Sequence, residues 1–121
     1  MENLSLRHYA HIGDAVWELF VRNYTVYKTQ NLKILHKMTT DRVNLTYQAE
    51  LLDYLEQFLT DTEKDIVRRA RNCSIPVGRK NKQFEYRKST AFEALIGYWY
   101  LENKARYKEI LEKINVDFFN E

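Results

Sequence analysis

The chain has 121 residues, 45% of them hydrophobic and 30% charged, with a formal net charge of +2; that is one domain, able to bury its own core and too apolar to stay disordered. Three glycines and one proline leave few turn signals, so an all-α fold of helices joined by short loops is expected and a many-stranded β fold is not. Cys73, the only cysteine, cannot form an intrachain disulfide and fits a reducing compartment. The N-terminus lacks the basic and apolar regions of a secretory signal, and the longest apolar run, Ala91 to Leu101, is short and holds Glu93. A soluble, cytoplasmic protein with no membrane association is the expectation.

Taken in chain order, Val16, Leu19, Phe20, Tyr24 and Tyr27 fall at helical spacing, predicting a first helix that begins between His8 and Asp14 and reaches Tyr27. A second helical region runs from Leu32 into the fifties, with Leu45, Ala49, Leu52, Leu55 and Leu59 as its apolar stripe; one bent helix and two helices are both compatible with it. Thr60-Asp61-Thr62-Glu63 fits a capping box that opens a helix through Ile66 and Val67. From Asn72 to Lys82 the periodicity lapses around Pro76 and Gly78, which predicts a basic loop. The next helix is expected to start near Ser89 or Thr90, and its nearly continuous apolar run to Leu101 makes it the central buried helix. A last amphipathic helix carries Tyr107, Ile110, Leu111 and Ile114. No repeat, low-complexity tract or long linker divides the chain, so residues 1–121 are expected to form a single domain.

The small net charge hides an asymmetry. Between Arg68 and Lys88 lie eight basic residues (Arg68, Arg69, Arg71, Arg79, Lys80, Lys82, Arg87 and Lys88) and one acid, Glu85. That segment carries a net +7 and leaves a net −5 for the rest of a chain whose total is +2. A concentrated basic stripe is the pattern of a polyanion-binding surface.

Two acids stand in apolar surroundings: Asp14 in Ile12-Gly13-Asp14-Ala15-Val16, and Glu93 in Ala91-Phe92-Glu93-Ala94-Leu95-Ile96-Gly97. An ionised carboxylate on a buried face is costly unless a cation or several hydrogen bonds compensate it. Two such acids, far apart in sequence and similarly embedded, point to a site across two packed helices with a metal as the simplest compensating cation. Each acid also has a purely structural reading. Thr90-Ala91-Phe92-Glu93 is a capping-box pattern, and Asp14 after Gly13 would make a helix N-cap.

Glu18, one turn after Asp14, reads as a solvated helix-face residue. His8 and His11 have the spacing of zinc ligands, but no cysteine pair or HExxH pattern supports zinc. His36 reads as a surface or interface residue, and most of the nine tyrosines and both tryptophans as core or interface residues rather than base-stacking platforms. Walker, GxGxxG and Ser-His-Asp patterns are absent, which leaves NTP hydrolysis, dinucleotide chemistry and acyl transfer without support.

The segment Ile12-Gly13-Asp14-Ala15-Val16-Trp17-Glu18 resembles the signature motif of the ribonuclease III catalytic domain, and Phe92-Glu93-Ala94-Leu95-Ile96-Gly97-Tyr98-Trp99-Tyr100-Leu101 resembles its second acidic motif. The resemblance covers nearly the whole chain, with both motifs in the same order. The family pattern usually has further acids four residues before Asp14 and three before Glu93, where this chain has Ala10 and Thr90. No double-stranded-RNA-binding domain is expected to follow. These departures, with Arg68-Arg69-Ala70-Arg71-Asn72 and Tyr86-Arg87-Lys88-Ser89-Thr90, resemble the Mini-III branch. The resemblance implies a helical bundle of the ribonuclease III catalytic-domain type. It implies a homodimeric, Mg²⁺-dependent endoribonuclease that cuts double-stranded RNA to 5′-phosphate and 3′-hydroxyl ends. Asp14 and Glu93 would be its catalytic and metal-ligating residues, and the basic segment would contact RNA. The large-subunit (23S) ribosomal RNA precursor would be the substrate, with a ribosomal protein as a candidate further partner. The alternative expectation is a noncatalytic RNA-binding or ribosome-associated module of the same fold.

Overall fold

The computed structural model describes residues 4–73 and 83–119, so Arg79, Lys80, Lys82 and most of the expected basic loop lie outside the described residues. Six α-helices and one 3₁₀ turn, with no strand among the described residues, follow one another: α1 (Leu6–Thr25), α2 (Leu32–Val43), α3 (Leu45–Leu55), the 3₁₀ turn Glu56–Phe58, α4 (Asp61–Arg71), α5 (Gln83–Glu102) and α6 (Lys104–Phe118). None of these helices is long and apolar enough to cross a membrane.

Local side-chain chemistry sets the helix starts. Ser5 caps α1, its Oγ accepting from the His8 amide at 3.3 Å while the His8 ring accepts from the Ser5 amide at 3.2 Å. His8 is therefore a capping residue, and α1 starts earlier than the sequence pattern predicts. Asn31, Asn44 and Asn103 cap α2, α3 and α6 through their side-chain oxygens. Asn44, in an extended conformation, ends α2 as well as starting α3, so the second helical region is two helices. Thr60 and Glu63 form the expected capping box of α4.

α5 is the central helix, packed against α1, α3, α4 and α6. Its residues Phe92, Leu95, Ile96 and Trp99 are fully buried, and Trp17 of α1 meets Phe92 edge-on at a centroid distance of 5.1 Å. Of the residues at helical spacing, Leu19 lies 61% exposed on α1, and Tyr27, 90% exposed, falls beyond the helix, which ends at Thr25 rather than reaching Tyr27. The expected α5 start is also corrected. The helix begins at Gln83, two turns upstream of Ser89 and Thr90, because the polar stretch Gln83–Lys88 continues it.

The α1–α5 crossing depends on two glycines. A Cβ on Gly13 would fall 1.8 Å from the Glu93 carbonyl oxygen, and one on Gly97 would fall 1.9 Å from the Tyr9 carbonyl oxygen. Each glycine thus sits against the carbonyl four residues before the other, and the helices run antiparallel with main chain touching main chain. Only glycine permits this approach.

Candidate active site

The close crossing places Asp14, next to Gly13 on α1, against Glu93 on α5. Both line a cleft of about 230 Å³ walled by α1, α5 and the C-terminal end of α4. Neither acid caps a helix. Ser5 performs that role for α1, and Thr90 and Glu93 lie inside α5, so both capping readings are overturned.

Asp14 faces solvent and Glu93 is partly buried. The Glu93 carboxyl is pushed up to about 8, first by burial, then by the Asp14 charge and a hydrogen bond between the two carboxyls; a hydrogen bond from Gln48 pulls the other way. Near neutral pH the pair therefore retains a proton in the absence of another cation. Two carboxylates drawn together, with no ion pair to either among the described residues, make a donor set suited to a divalent cation of the magnesium or manganese type. Among the described residues no group of three or more His, Cys, Asp or Glu gathers around a point. The protein would supply two carboxylates, leaving water or substrate oxygens to complete the coordination. Ala10 and Thr90, at the two positions where further acids were anticipated, line the same cleft.

The other expected site residues are placed as follows. Arg87 lines the cleft, and its Nη1 donates to the carbonyls of Arg71 and Cys73, tying α5 to the end of α4. Arg68 and Arg69 hold Asp65 at 2.6 and 2.9 Å on the exposed face of α4. Lys88 pairs with Asp53 at 2.7 Å and lies over the Phe84 ring, which Arg71 also approaches. Ion pairs on exposed faces contribute little stability and exchange partners readily. Glu18 pairs with Arg22 as a surface residue, His36 is exposed, and His11 lines the cleft beside Asp14.

Sequence reasoning missed Gln48 and Ser89. Both are buried, joined by a 2.6 Å hydrogen bond, and Gln48 reaches Glu93. The available signal was a glutamine inside the Leu45–Ala49–Leu52 stripe, where a polar side chain needs a partner.

The profile of the Ribonuclease III domain family matches residues 7–104. The Mini-ribonuclease 3 of Gloeobacter violaceus is 41% identical over 92% of this chain and 82% of its own length. That of Thermosynechococcus vestitus is 37% identical over 85% of this chain and 68% of its own. A crystallised Fusobacterium nucleatum protein superposes with a TM-score of 0.83 at 32% identity, covering 94% of this chain and 95% of that one.

Proposed function

The chain belongs to the ribonuclease III domain family, and from that premise we propose that it is a Mg²⁺-dependent endoribonuclease that cleaves double-stranded RNA at the Asp14–Glu93 cleft. The observation that carries this reading is the carboxylate pair itself: two acids pressed together in a cleft also lined by Arg7 and Arg87, with no ion pair to either acid among the described residues. A divalent cation held by Asp14 and Glu93 would supply Lewis-acid stabilisation of charge on the phosphoryl oxygens and make bound water acidic enough to act as a nucleophile. Asp14, the more exposed acid, would orient the attacking water. Glu93, fixed by burial, holds the inner side of the site. The products are 5′-phosphate and 3′-hydroxyl ends.

One carboxylate pair per chain cuts one strand, so cleavage of a duplex calls for a homodimer. Exposed Leu19, on the α1 face that also carries Ile12 and Ala15 beside Asp14, supports an interface there. A-form RNA presents its backbone and 2′-hydroxyls rather than readable base edges. Arg68, Arg69, Arg71, Arg79, Lys80, Lys82, Arg87 and Lys88 are accordingly assigned to phosphate contacts. The name Mini-ribonuclease 3 carried by the relatives supports the Mini-III type; the substrate we assign to this chain is a large-subunit ribosomal RNA precursor in the cytoplasm, with a ribosomal protein as a further partner.

The test is to incubate the purified protein with duplex RNA in the presence of Mg²⁺ or of a chelator. Metal-dependent cleavage to 5′-phosphate ends is expected. Binding without cleavage at saturating Mg²⁺ would replace the enzyme by a noncatalytic RNA-binding module, and light scattering that finds an active monomer would remove the paired-strand arrangement.

A further inference from the structure

Gln48 on α3 is 2% exposed, and the hydrogen-bonding groups of its amide are engaged on three sides. Its Oε1 accepts from Ser89 Oγ at 2.6 Å, and its Nε2 donates to the Val43 carbonyl at 3.3 Å. Its position against α5, one turn from Glu93, leaves the second N–H free to face that carboxyl, whose pKa the Gln48 side chain pulls downward. The amide cannot be turned over, because the Val43 carbonyl can only accept and must face the nitrogen. Ser89 stands four residues before Glu93, so both project from one face of α5 toward α3. The Val43 carbonyl closes the end of α2, which makes the amide a bridge among the α2–α3 junction, α5 and the acid.

We propose that Gln48 is a positioning residue, held by Ser89 and Val43, that fixes the Glu93 carboxylate in the orientation in which it can share a divalent cation with Asp14. This rests on the metal-site reading above and adds to it the group that orients one ligand. A carboxylate has about four lone-pair sites; a fixed donor on one of them restrains the rotation of the group and leaves the others for ligation. Groups that orient metal ligands in this way are worth roughly 10–100-fold in metal affinity or activity.

Gln48→Met keeps the length and packing of the side chain and removes both the donor and the acceptor. Two readouts separate positioning from a merely structural bridge: calorimetric binding of Mn²⁺ to the RNA-free protein, and cleavage of duplex RNA as a function of Mg²⁺ concentration. The Mn²⁺ dissociation constant should weaken by about tenfold or more. The Mg²⁺ midpoint for cleavage should rise by the same factor, while KM for RNA at saturating metal stays put. Ser89→Ala should shift both in the same direction by less, because the Val43 carbonyl still holds the amide. A folded Gln48→Met protein with a lowered melting temperature and unchanged Mn²⁺ affinity would overturn the proposal. If that variant does not fold, Ser89→Ala decides, and unchanged Mn²⁺ affinity there overturns it equally. A wild-type protein that neither binds Mn²⁺ nor cleaves would bring down the metal-site reading as well, whereas a wild type that does both confines any failure to Gln48.

Discussion

Around Glu63 the bundle gathers donors, and around Glu93 it gathers another acid. Glu63, 5% exposed, accepts from the Thr60 amide at 2.9 Å, the Trp99 indole at 2.8 Å and Arg106 at 2.9 and 3.0 Å. Burial alone would raise its carboxyl, but these donors, Arg106 foremost, more than offset that and hold it below the ordinary range. Among the described residues Glu93 meets Gln48 and a second carboxyl, Asp14, whose like charge opposes its own. Both carboxylates are built into the same bundle, Glu63 with a guanidinium paired to it and Glu93 with no cation paired to it among the described residues. Internal compensation marks structure; its omission leaves a place for a cation from solution.

The largest effect should come from breaking the compensated side. Arg106→Met leaves Glu63 buried without its cation and should cost about 3–5 kcal/mol of stability, measured by denaturant unfolding; Glu63→Gln in the same chain should restore part of it. A loss below 1 kcal/mol would show that water reaches Glu63 and that the contrast is weaker than the geometry says.

On the uncompensated side the damage should fall on turnover instead. Asp14→Asn and Glu93→Gln keep the shape of the site but remove the charge that holds the metal. A Lewis-acid contribution of several kcal/mol implies a rate loss of at least about a hundredfold, with unfolding midpoint and duplex affinity nearly unchanged. Parent-like cleavage by either variant at saturating Mg²⁺ would show that the site is elsewhere.

Divalent cations should stabilise the native protein by a smaller amount, about 1.4 kcal/mol at ten times the dissociation constant, and should do nothing for Glu93→Gln. Thermal melts with and without Mn²⁺ read this directly.

The effect sharpest in sign concerns pH in the metal-free protein. Glu93 titrates near 4.5 unfolded and near 8 folded, so its protonated form favours the native state. Stability from this group is full below pH 4.5 and is lost as pH rises toward and through 8. Glu63 is shifted downward from 4.5, so its contribution is full above that pH and is lost as pH falls through the folded value. Glu93→Gln should flatten the alkaline limb of a stability–pH curve, and Glu63→Gln the acid limb. Exchange of those two limbs would invert the comparison.

Much of this was readable in the chain before any coordinates. Asp14 and Glu93 stood out because small and apolar neighbours surround an acid, and the Ala91–Leu101 run announced the central helix. The start of α5 was not readable, because Thr90-Ala91-Phe92-Glu93 imitates a cap locally and nothing local says that Gln83–Lys88 is already helical. Leu19 fits the period of α1 and still faces outward, since periodicity gives a stripe without telling how far the core extends beneath it, and Tyr27 keeps the period beyond the last helical residue, Thr25. The partners of Glu63 were invisible for another reason. Trp99 and Arg106 lie 36 and 43 residues away, and only the packing of α4 against α5 and the turn into α6 brings them to it. Gln48 belongs to the same class, its meaning residing in Ser89 and Glu93 on another helix.

The glycine contacts between α1 and α5 bear on how the protein should behave when heated. Main-chain atoms already at contact distance cannot move closer, and the surrounding core, with Trp17 seated on Phe92, resists separation. The spacing of the main chains that carry the two acids is thus tied to the integrity of the whole bundle. Activity measured on a rising temperature ramp should hold until the cooperative transition and vanish with it, and inactivation and unfolding curves should superimpose.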